Sequence, residues 1–134
     1  MTEYDALVIE EIAETSRRER MLYIASRPKR RGQLIHIIHE SSFLDPSVMV
    51  NIPSSSQTTE GILKQMQTLG AESECYAISA LKEIDGKSIS LVDGLERTVG
   101  NTVETILFCP KSRIGYYEGG HMKDRYILKG RSLK

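Results

Sequence analysis

Apolar residues in the N-terminal part of the chain recur at helical spacing. A helix over 3–24, interrupted near Ser16, is predicted by the stripe of Tyr4, Leu7, Val8 and Ile12, continued by Leu22 and Tyr23. Ser26 and Pro28 then form a cap followed by an early-turn proline, which predicts a second helix over 28–41. The chain therefore begins with a helical pair.

The rest of the chain changes between alternating and helical patterns. Alternating or continuous short apolar runs predict strands at 48–52, 75–81, 103–109, 113–118 and 125–129. Thr58 or Thr59 caps a predicted helix that Gly70 ends, and Ser90 caps a short one that reaches Val99. A turn is predicted at 84–87. The order of elements is thus ααβαβαβββ.

This order predicts an α/β fold with a single mixed sheet. Strands joined through helices form parallel crossovers, and strands joined by short turns form antiparallel hairpins. We therefore expect parallel pairing among 48–52, 75–81 and 103–109, followed by a C-terminal antiparallel meander. Helices are expected to cover at least one face of the sheet.

Length and composition suit one core. With 134 residues, 40% of them hydrophobic and 27% charged, the chain can support one domain but not two. We predict a single domain over 1–134, in which the helical pair at 1–41 packs on, or projects from, a sheet core at 47–130.

Several protein classes are excluded or disfavoured. No apolar run approaches the ~18 residues of a membrane span, so no membrane partner is expected. The acidic N-terminus lacks the pattern of a secretory signal, and the two cysteines match neither a disulfide framework nor a paired-thiolate metal site. A cytoplasmic location is the resulting expectation.

The net charge of zero conceals a strong local asymmetry. Residues 1–16 carry five acids and no base, whereas residues 17–31 carry seven bases and one acid. Such a cluster is typical of a surface that contacts phosphate groups. Nucleic acid or an acidic protein surface is the predicted partner, and the acidic run of a second copy, in a homodimer, is an alternative. The candidate contact residues are Arg17, Arg18, Arg20, Arg27, Lys29, Arg30 and Arg31.

A Ser-rich loop between a predicted strand and helix is a second candidate site. Free N–H groups at a helix N-terminus favour an anion, and hydroxyl groups add donors. The alternative is a loop that only caps the helix, with solvated serines. In the predicted topology three segments leave the same end of the sheet and bring basic residues to this loop. The candidate anion-binding residues are Ser54, Ser55, Ser56, Thr58, Lys82, Lys111 and Arg113.

No catalytic, metal or cofactor site is predicted. His36 and His39 lie on the polar side of the second helix, and a zinc site there would need a third ligand from His121, Cys75, Cys109 or an acid. A nucleophile–base pair of Cys109 and His121 is disfavoured, because a predicted strand separates the two residues.

Three functions remain open on these grounds. The first is a small binding or regulatory domain without catalytic activity that contacts an acidic partner, such as nucleic acid, through its basic helical segment. The second is an enzyme or sensor for a small phosphorylated ligand at the Ser-rich loop. The third is a structural subunit that forms homo-oligomers.

Overall fold

The computed structural model describes residues 3–133, so Met1, Thr2 and Lys134 of the predicted domain lie outside the described residues. The five α-helices are α1 (Glu3–Ile12), α2 (Thr15–Ala25), α3 (Arg31–Ile37), α4 (Thr59–Thr68) and α5 (Leu91–Thr98). Short 3-10 turns lie at Pro28–Arg30, Ser41–Phe43, Pro46–Val48 and Ser54–Ser56.

The predicted N-terminal helices are shorter than the sequence suggested. The helix expected over 3–24 is interrupted at Ala13 and Glu14, two residues before the expected break at Ser16. Glu14 N–H donates to the carbonyl of Phe43, and its carboxylate accepts from Ser16 N–H to cap α2. A long-range contact thus ends α1 and a local one starts α2.

The sheet has six strands in the spatial order β1-β6-β5-β4-β2-β3. The strands are β1 (Met49–Val50), β2 (Glu74–Ser79), β3 (Ser88–Ser90), β4 (Thr105–Cys109), β5 (Ile114–Glu118) and β6 (Arg125–Lys129). The mixed α/β class is confirmed, and so is the C-terminal antiparallel meander of β4, β5 and β6.

The predicted parallel pairing is wrong, because every neighbouring pair of strands is antiparallel. The sequence pattern did not reveal β3, which reverses the chain before α5, so β4 returns antiparallel to β2. β1 and β2 do run in the same direction, but β6, β5 and β4 lie between them. The helical connections therefore cross over strands that are not neighbours.

Helices cover both faces of the sheet. On one face, α1, α2 and α3 pack on side chains such as Ile78, Phe108 and Tyr117. On the other, α4 and α5 pack on Ala77, Leu107 and their neighbours. Because both faces are buried, the middle strands carry continuous apolar runs, such as Ile106–Cys109 in β4, where all five strand residues are buried.

The direction of the strands determines which residues meet. We call the end of the sheet where β1, β2 and β5 finish the upper end, and the end where β3, β4 and β6 finish the lower end. Segments that follow β2 and β4 therefore leave from opposite ends. None of the helices within residues 3–133 combines the length and the apolar character needed to cross a membrane.

Candidate functional site

Helices α2 and α3 form a hairpin on the outside of the sheet. Ser26 ends α2, with its hydroxyl donating to the carbonyl of Tyr23 at 2.6 Å, and Pro28 begins the turn that leads into α3. The apolar side of the hairpin is buried through Met21, Ile24 and Leu34. Its polar side, which carries most of the basic segment, consequently faces outward.

Three hollows follow α2, the turn after it and α3, and the second and third of them share His36 and Ile37. The first, of about 460 Å³, is lined by Tyr23, Arg27, Pro28, Lys29 and Arg30. The second, of about 370 Å³, is lined by Arg20, Ile24, Gly32, Gln33, His36 and Ile37. The third, of about 300 Å³, is lined by Arg17, His36, Ile37, His39, Glu40 and Ser42. We call this surface the basic groove.

The spacing of residues along α2 explains why one groove collects so many cations. Arg17, Arg20 and Tyr23 follow one another at three-residue intervals on α2, which places them toward one side of the helix. From Arg17 to Tyr23 this stripe is about 9 Å long at the helical rise of ~1.5 Å per residue, and Arg27, Lys29 and Arg30 lie in the turn that follows the helix. The groove is thus long enough to contact more than one charged group of a polymer.

Five cations of the groove form no ion pair within 4.0 Å with any acid in the described part of the chain. Across residues 3–133, the ion pairs within 4.0 Å involve Arg31, Arg97, Arg113, Arg125, Arg131 and two histidines. The five cations outside these pairs that line the groove are Arg17, Arg20, Arg27, Lys29 and Arg30. Their positive charge is therefore directed to solvent.

Tyr23 lies among these cations. Its side chain is 48% exposed, and it belongs to neither apolar cluster of the core. The guanidinium carbons of Arg27 and Arg30 lie 5.2 and 5.6 Å from the centre of its ring, within the range of cation–π attraction. Sequence reasoning included the two arginines but missed Tyr23, although its spacing from Arg20 and Arg27 was a usable signal.

Arg31 does not belong to the basic surface, contrary to its inclusion among the contact residues. Its guanidinium bonds Asp5 at 2.8 Å and both carboxylate oxygens of Asp85 at 2.8 and 2.9 Å. Burial by itself lowers the pKa of Arg31, but these bonds outweigh it and raise that pKa above its ordinary range. Arg31 therefore ties α3 to α1 and to the turn between β2 and β3.

Arg18 also lies outside the groove. It is half-buried, its Nη2 donates to the hydroxyl of Thr15 at 3.3 Å, and it lines none of the three hollows. Of the seven predicted contact residues, the structure thus brings five together and directs two elsewhere.

The two histidines predicted to be exposed have different surroundings. His36 is exposed in the groove, whereas His39 is half-buried and its Nδ1 lies 2.6 Å from the carboxylate of Glu104. The ring of His39 also packs edge-on against His121, with centres 4.6 Å apart. Within residues 3–133 no group of three or more histidine, cysteine or acidic side chains is arranged to hold a metal ion.

The contact with His39 changes the titration of Glu104. Partial burial by itself raises the pKa of Glu104, but the hydrogen bond from His39 and the charges of His39 and His36 outweigh it. The pKa of Glu104 is therefore lowered from its ordinary value of 4.5. This pair joins the residues after α3 to the start of β4.

The predicted anion-binding residues do not converge. Ser54–Ser56 and Lys82 follow β1 and β2 at the upper end of the sheet, but three strands separate these two strands. Lys111 and Arg113 lie at the lower end, where the carboxylate of Glu72 accepts from the N–H groups of Lys111 and Ser112 at 2.7 and 3.0 Å. The convergence failed because β4 runs antiparallel to β2.

The Ser-rich loop packs against the start of α4 and caps it. Thr58 caps α4 by accepting from Gly61 N–H at 3.0 Å. A Cβ at Gly61 would lie only 2.5 Å from the carbonyl oxygen of Ser56, so the loop packs directly against the first turn of α4. The hydroxyl group of Thr58 and the backbone of the loop serve the helix start itself.

The cysteines are buried within the strands. Both thiols are free, and burial raises the pKa of Cys75 to about 12. Cys109 lies at the lower end of the sheet, whereas His121 follows β5 at the upper end. The structure thus keeps Cys109 and His121 a strand length apart, as the sequence analysis predicted.

A buried carboxylate escaped the sequence analysis. Glu118 is 1% exposed and accepts from Thr102 N–H at 3.0 Å, from the hydroxyl of Tyr116 at 2.5 Å and from Arg125 at 3.3 Å. Arg125 also reaches the side chain of Gln57 at 3.4 Å. These bonds hold the end of β5 to the start of β6. Neither Glu118 nor Arg125 lines the basic groove.

Comparison with known proteins identifies no relative. No protein-family model matches the chain, and no curated protein or solved structure matches it significantly.

Proposed function

We propose that this chain is a binding module that contacts nucleic acid through the basic groove between α2 and α3. The observation that carries the proposal is the composition of the groove. Five cations line it, on α2 and on the turn that follows it, and none of them forms an ion pair within 4.0 Å with an acid of residues 3–133. Phosphate groups are the ligands that neutralise such a row.

Release of counterions supplies the free energy of binding at such a surface. Cations held close together repel one another and are screened by salt, so the surface alone gains nothing from their proximity. A polymer with regularly spaced phosphates replaces these screening ions and releases its own condensed counterions. The whole chain has no net charge, so the attraction must come from a local cluster of cations.

Three acidic residues of the N-terminal segment are already bonded within the chain. Asp5 bonds Arg31, Glu11 accepts from Ser132 N–H at 3.0 Å, and Glu14 caps α2. These bonds lie within one chain, which leaves less of the acidic run for a second copy.

The hypothesis of a small phosphorylated ligand has lost its basis. It required Lys82, Lys111 and Arg113 to meet at the Ser-rich loop, and the antiparallel sheet separates them. The proposed function assigns no reaction to the groove, since binding alone accounts for its free cations.

The test compares two double variants in fluorescence anisotropy with a labelled single-stranded oligonucleotide. Changing Arg20 and Lys29 to Glu reverses two charges in the groove, and we expect binding to weaken by more than about tenfold. Changing the exposed Lys64 and Lys87 to Glu is the matched control, since both lie outside the groove, and should leave binding within about twofold.

Salt dependence provides the second readout. If about four cations each meet a phosphate of a single strand, the log–log slope is about −2.8, and affinity falls about 50-fold between 50 and 200 mM salt. Tighter binding of an acidic polypeptide than of any oligonucleotide would identify an acidic protein as the partner. Equal loss in both double variants, or no binding at 50 mM salt, would show the proposal to be wrong.

A further inference from the structure

We infer that the basic groove selects single-stranded nucleic acid, and that one unpaired base stacks at Tyr23 between the cations. The inference rests on the proposed function and adds the class of nucleic acid and the residue that distinguishes it. Its starting point is the position of one aromatic ring that the core does not use.

Tyr23 differs from the two tyrosines of β5. Tyr116 and Tyr117 are fully buried in the two clusters, whereas the Tyr23 ring is 48% exposed on the outer side of α2. The ring positions Arg27 and Arg30 through cation–π contact. It also supplies a flat apolar surface, and this is what an unpaired base requires.

The surroundings of Tyr23 complete a nucleotide-sized site. The hollow of about 460 Å³ lies within the ~300–1,000 Å³ range of small-molecule pockets. Pro28 adds an apolar wall, and Lys29 supplies a charge for the phosphate. The guanidinium groups of Arg27 and Arg30 lie over the ring, with their carbons 5.2 and 5.6 Å from its centre, so a base stacks on a guanidinium plane or takes the place of one guanidinium on the ring.

A duplex cannot use this site in the same way. Its bases are stacked on one another, so a duplex offers the groove only phosphates and the edges of its bases. A single strand can turn one base out into the hollow while its phosphates follow the cations of α2 toward Arg20 and Arg17. We therefore expect a preference for single strands beyond the difference in charge.

The size of the effect follows from the stacking of one base. Loss of one base–aromatic contact typically weakens binding by about 5- to 150-fold. Changing Tyr23 to Ala should produce a loss in that range, while changing Tyr23 to Phe should keep affinity within about twofold because the ring remains. Tyr4 is exposed outside the groove, so Tyr4→Ala is the matched control.

The experiment is a double-mutant cycle with the full chain. Wild type and the Tyr23→Ala variant are titrated with a labelled oligothymidylate and with an oligonucleotide of equal length that carries abasic sites in place of its bases. We expect Tyr23→Ala to weaken binding of the first by about 5- to 150-fold and of the second by less than twofold. A thermal melt of each variant confirms that both remain folded.

The outcomes separate the inference from the proposed function. If the variant loses affinity equally for both oligonucleotides, or if a duplex of the same sequence binds as tightly as the single strand, the stacking inference is overturned and nucleic-acid binding stands. If neither oligonucleotide nor heparin binds at 50 mM salt, the proposed function fails as well. Tighter binding of polyglutamate than of oligothymidylate would identify a protein ligand and overturn the inference.

Discussion

At the scale of the residue, identical side chains have different roles because of what the fold places beside them. Arg30 and Arg31 are consecutive, yet Arg30 lies over an exposed tyrosine ring while Arg31 is bound to two carboxylates. Glu118 and Glu40 differ in the same way, since Glu118 is buried among donors and Glu40 is exposed. Residue type alone therefore did not distinguish a side chain that is free to contact a ligand from one that is bonded within the fold.

We expect Glu118 to contribute strongly to stability. Glu118→Ala leaves the guanidinium of Arg125, whose side chain is only 10% exposed, without its carboxylate and leaves Thr102 N–H without an acceptor. Removing one partner of a buried pair typically costs about 3–5 kcal/mol of unfolding free energy, and we expect a loss in this range from urea denaturation.

The exposed pair of Arg97 and Asp93 is the control for this prediction. Both side chains are about half exposed, and Asp93→Ala should cost less than about 1 kcal/mol. Similar losses in the two variants would contradict the buried role of Glu118.

At the scale of the element, contacts at the ends of helices and strands fix the elements to one another. The residues after α3 are fixed to the sheet by the His39–Glu104 pair and by Gly120 N–H, which donates to the carbonyl of His39 at 2.9 Å. Gly120 has no side chain to obstruct this contact, since a Cβ there would lie 2.0 Å from Nδ1 of His39. The far end of the basic groove is thus anchored to the upper end of the sheet.

This anchor predicts a specific pH dependence. The pKa of Glu104 is lower in the folded protein than its ordinary value of 4.5, so its ionised form stabilises the fold above that pH. The stabilisation is lost as pH falls through the lower, folded pKa. We expect the difference in unfolding free energy between wild type and Glu104→Gln to shrink toward zero between about pH 5 and pH 3.

His36 and His121, together with Glu40, also face this region, so the variant must be compared with wild type at each pH. A difference that stays constant from pH 7 to pH 3 would indicate that Glu104 acts through packing and not through its charge.

At the scale of the whole molecule, the ion pairs of Arg31 with Asp5 and Asp85 hold the helices of the basic groove to α1 and to the sheet. Arg31 joins α3 to Asp5 of α1 and to Asp85 of the β2–β3 turn, and the hydroxyl of Tyr76 in β2 donates to Asp5 at 2.7 Å. The hairpin that carries the groove is thereby connected to three separate parts of the chain.

This link predicts that Arg31 affects stability and not binding. Arg31→Ala removes the cation beside the buried Asp5, and we expect a loss of about 3 kcal/mol, the lower part of the usual range because Arg31 is 24% exposed. At a temperature where the variant is fully folded, its oligonucleotide affinity should stay within about threefold of wild type. A loss of affinity as large as that of the variant with Arg20 and Lys29 changed to Glu would show that Arg31 contacts the oligonucleotide.

The sequence by itself determined the local features of this protein. Helical spacing located most helices to within a few residues, continuous apolar runs located β2 and β4, and the cluster at 17–31 identified the basic segment. These features depend on neighbours within a few positions, so their periodicity is visible along the chain.

Only the tertiary structure decided how these pieces meet. β3 has three residues, of which Ile89 alone is apolar, so it leaves no alternating signal, yet it reverses the direction of β4 and separates the predicted anion site. Likewise, Asp5 and Asp85 lie far from Arg31 along the chain, and Glu104 lies far from His39. Strand pairing and buried ion pairs join distant residues, and this long-range geometry set which cations remain free to bind a ligand.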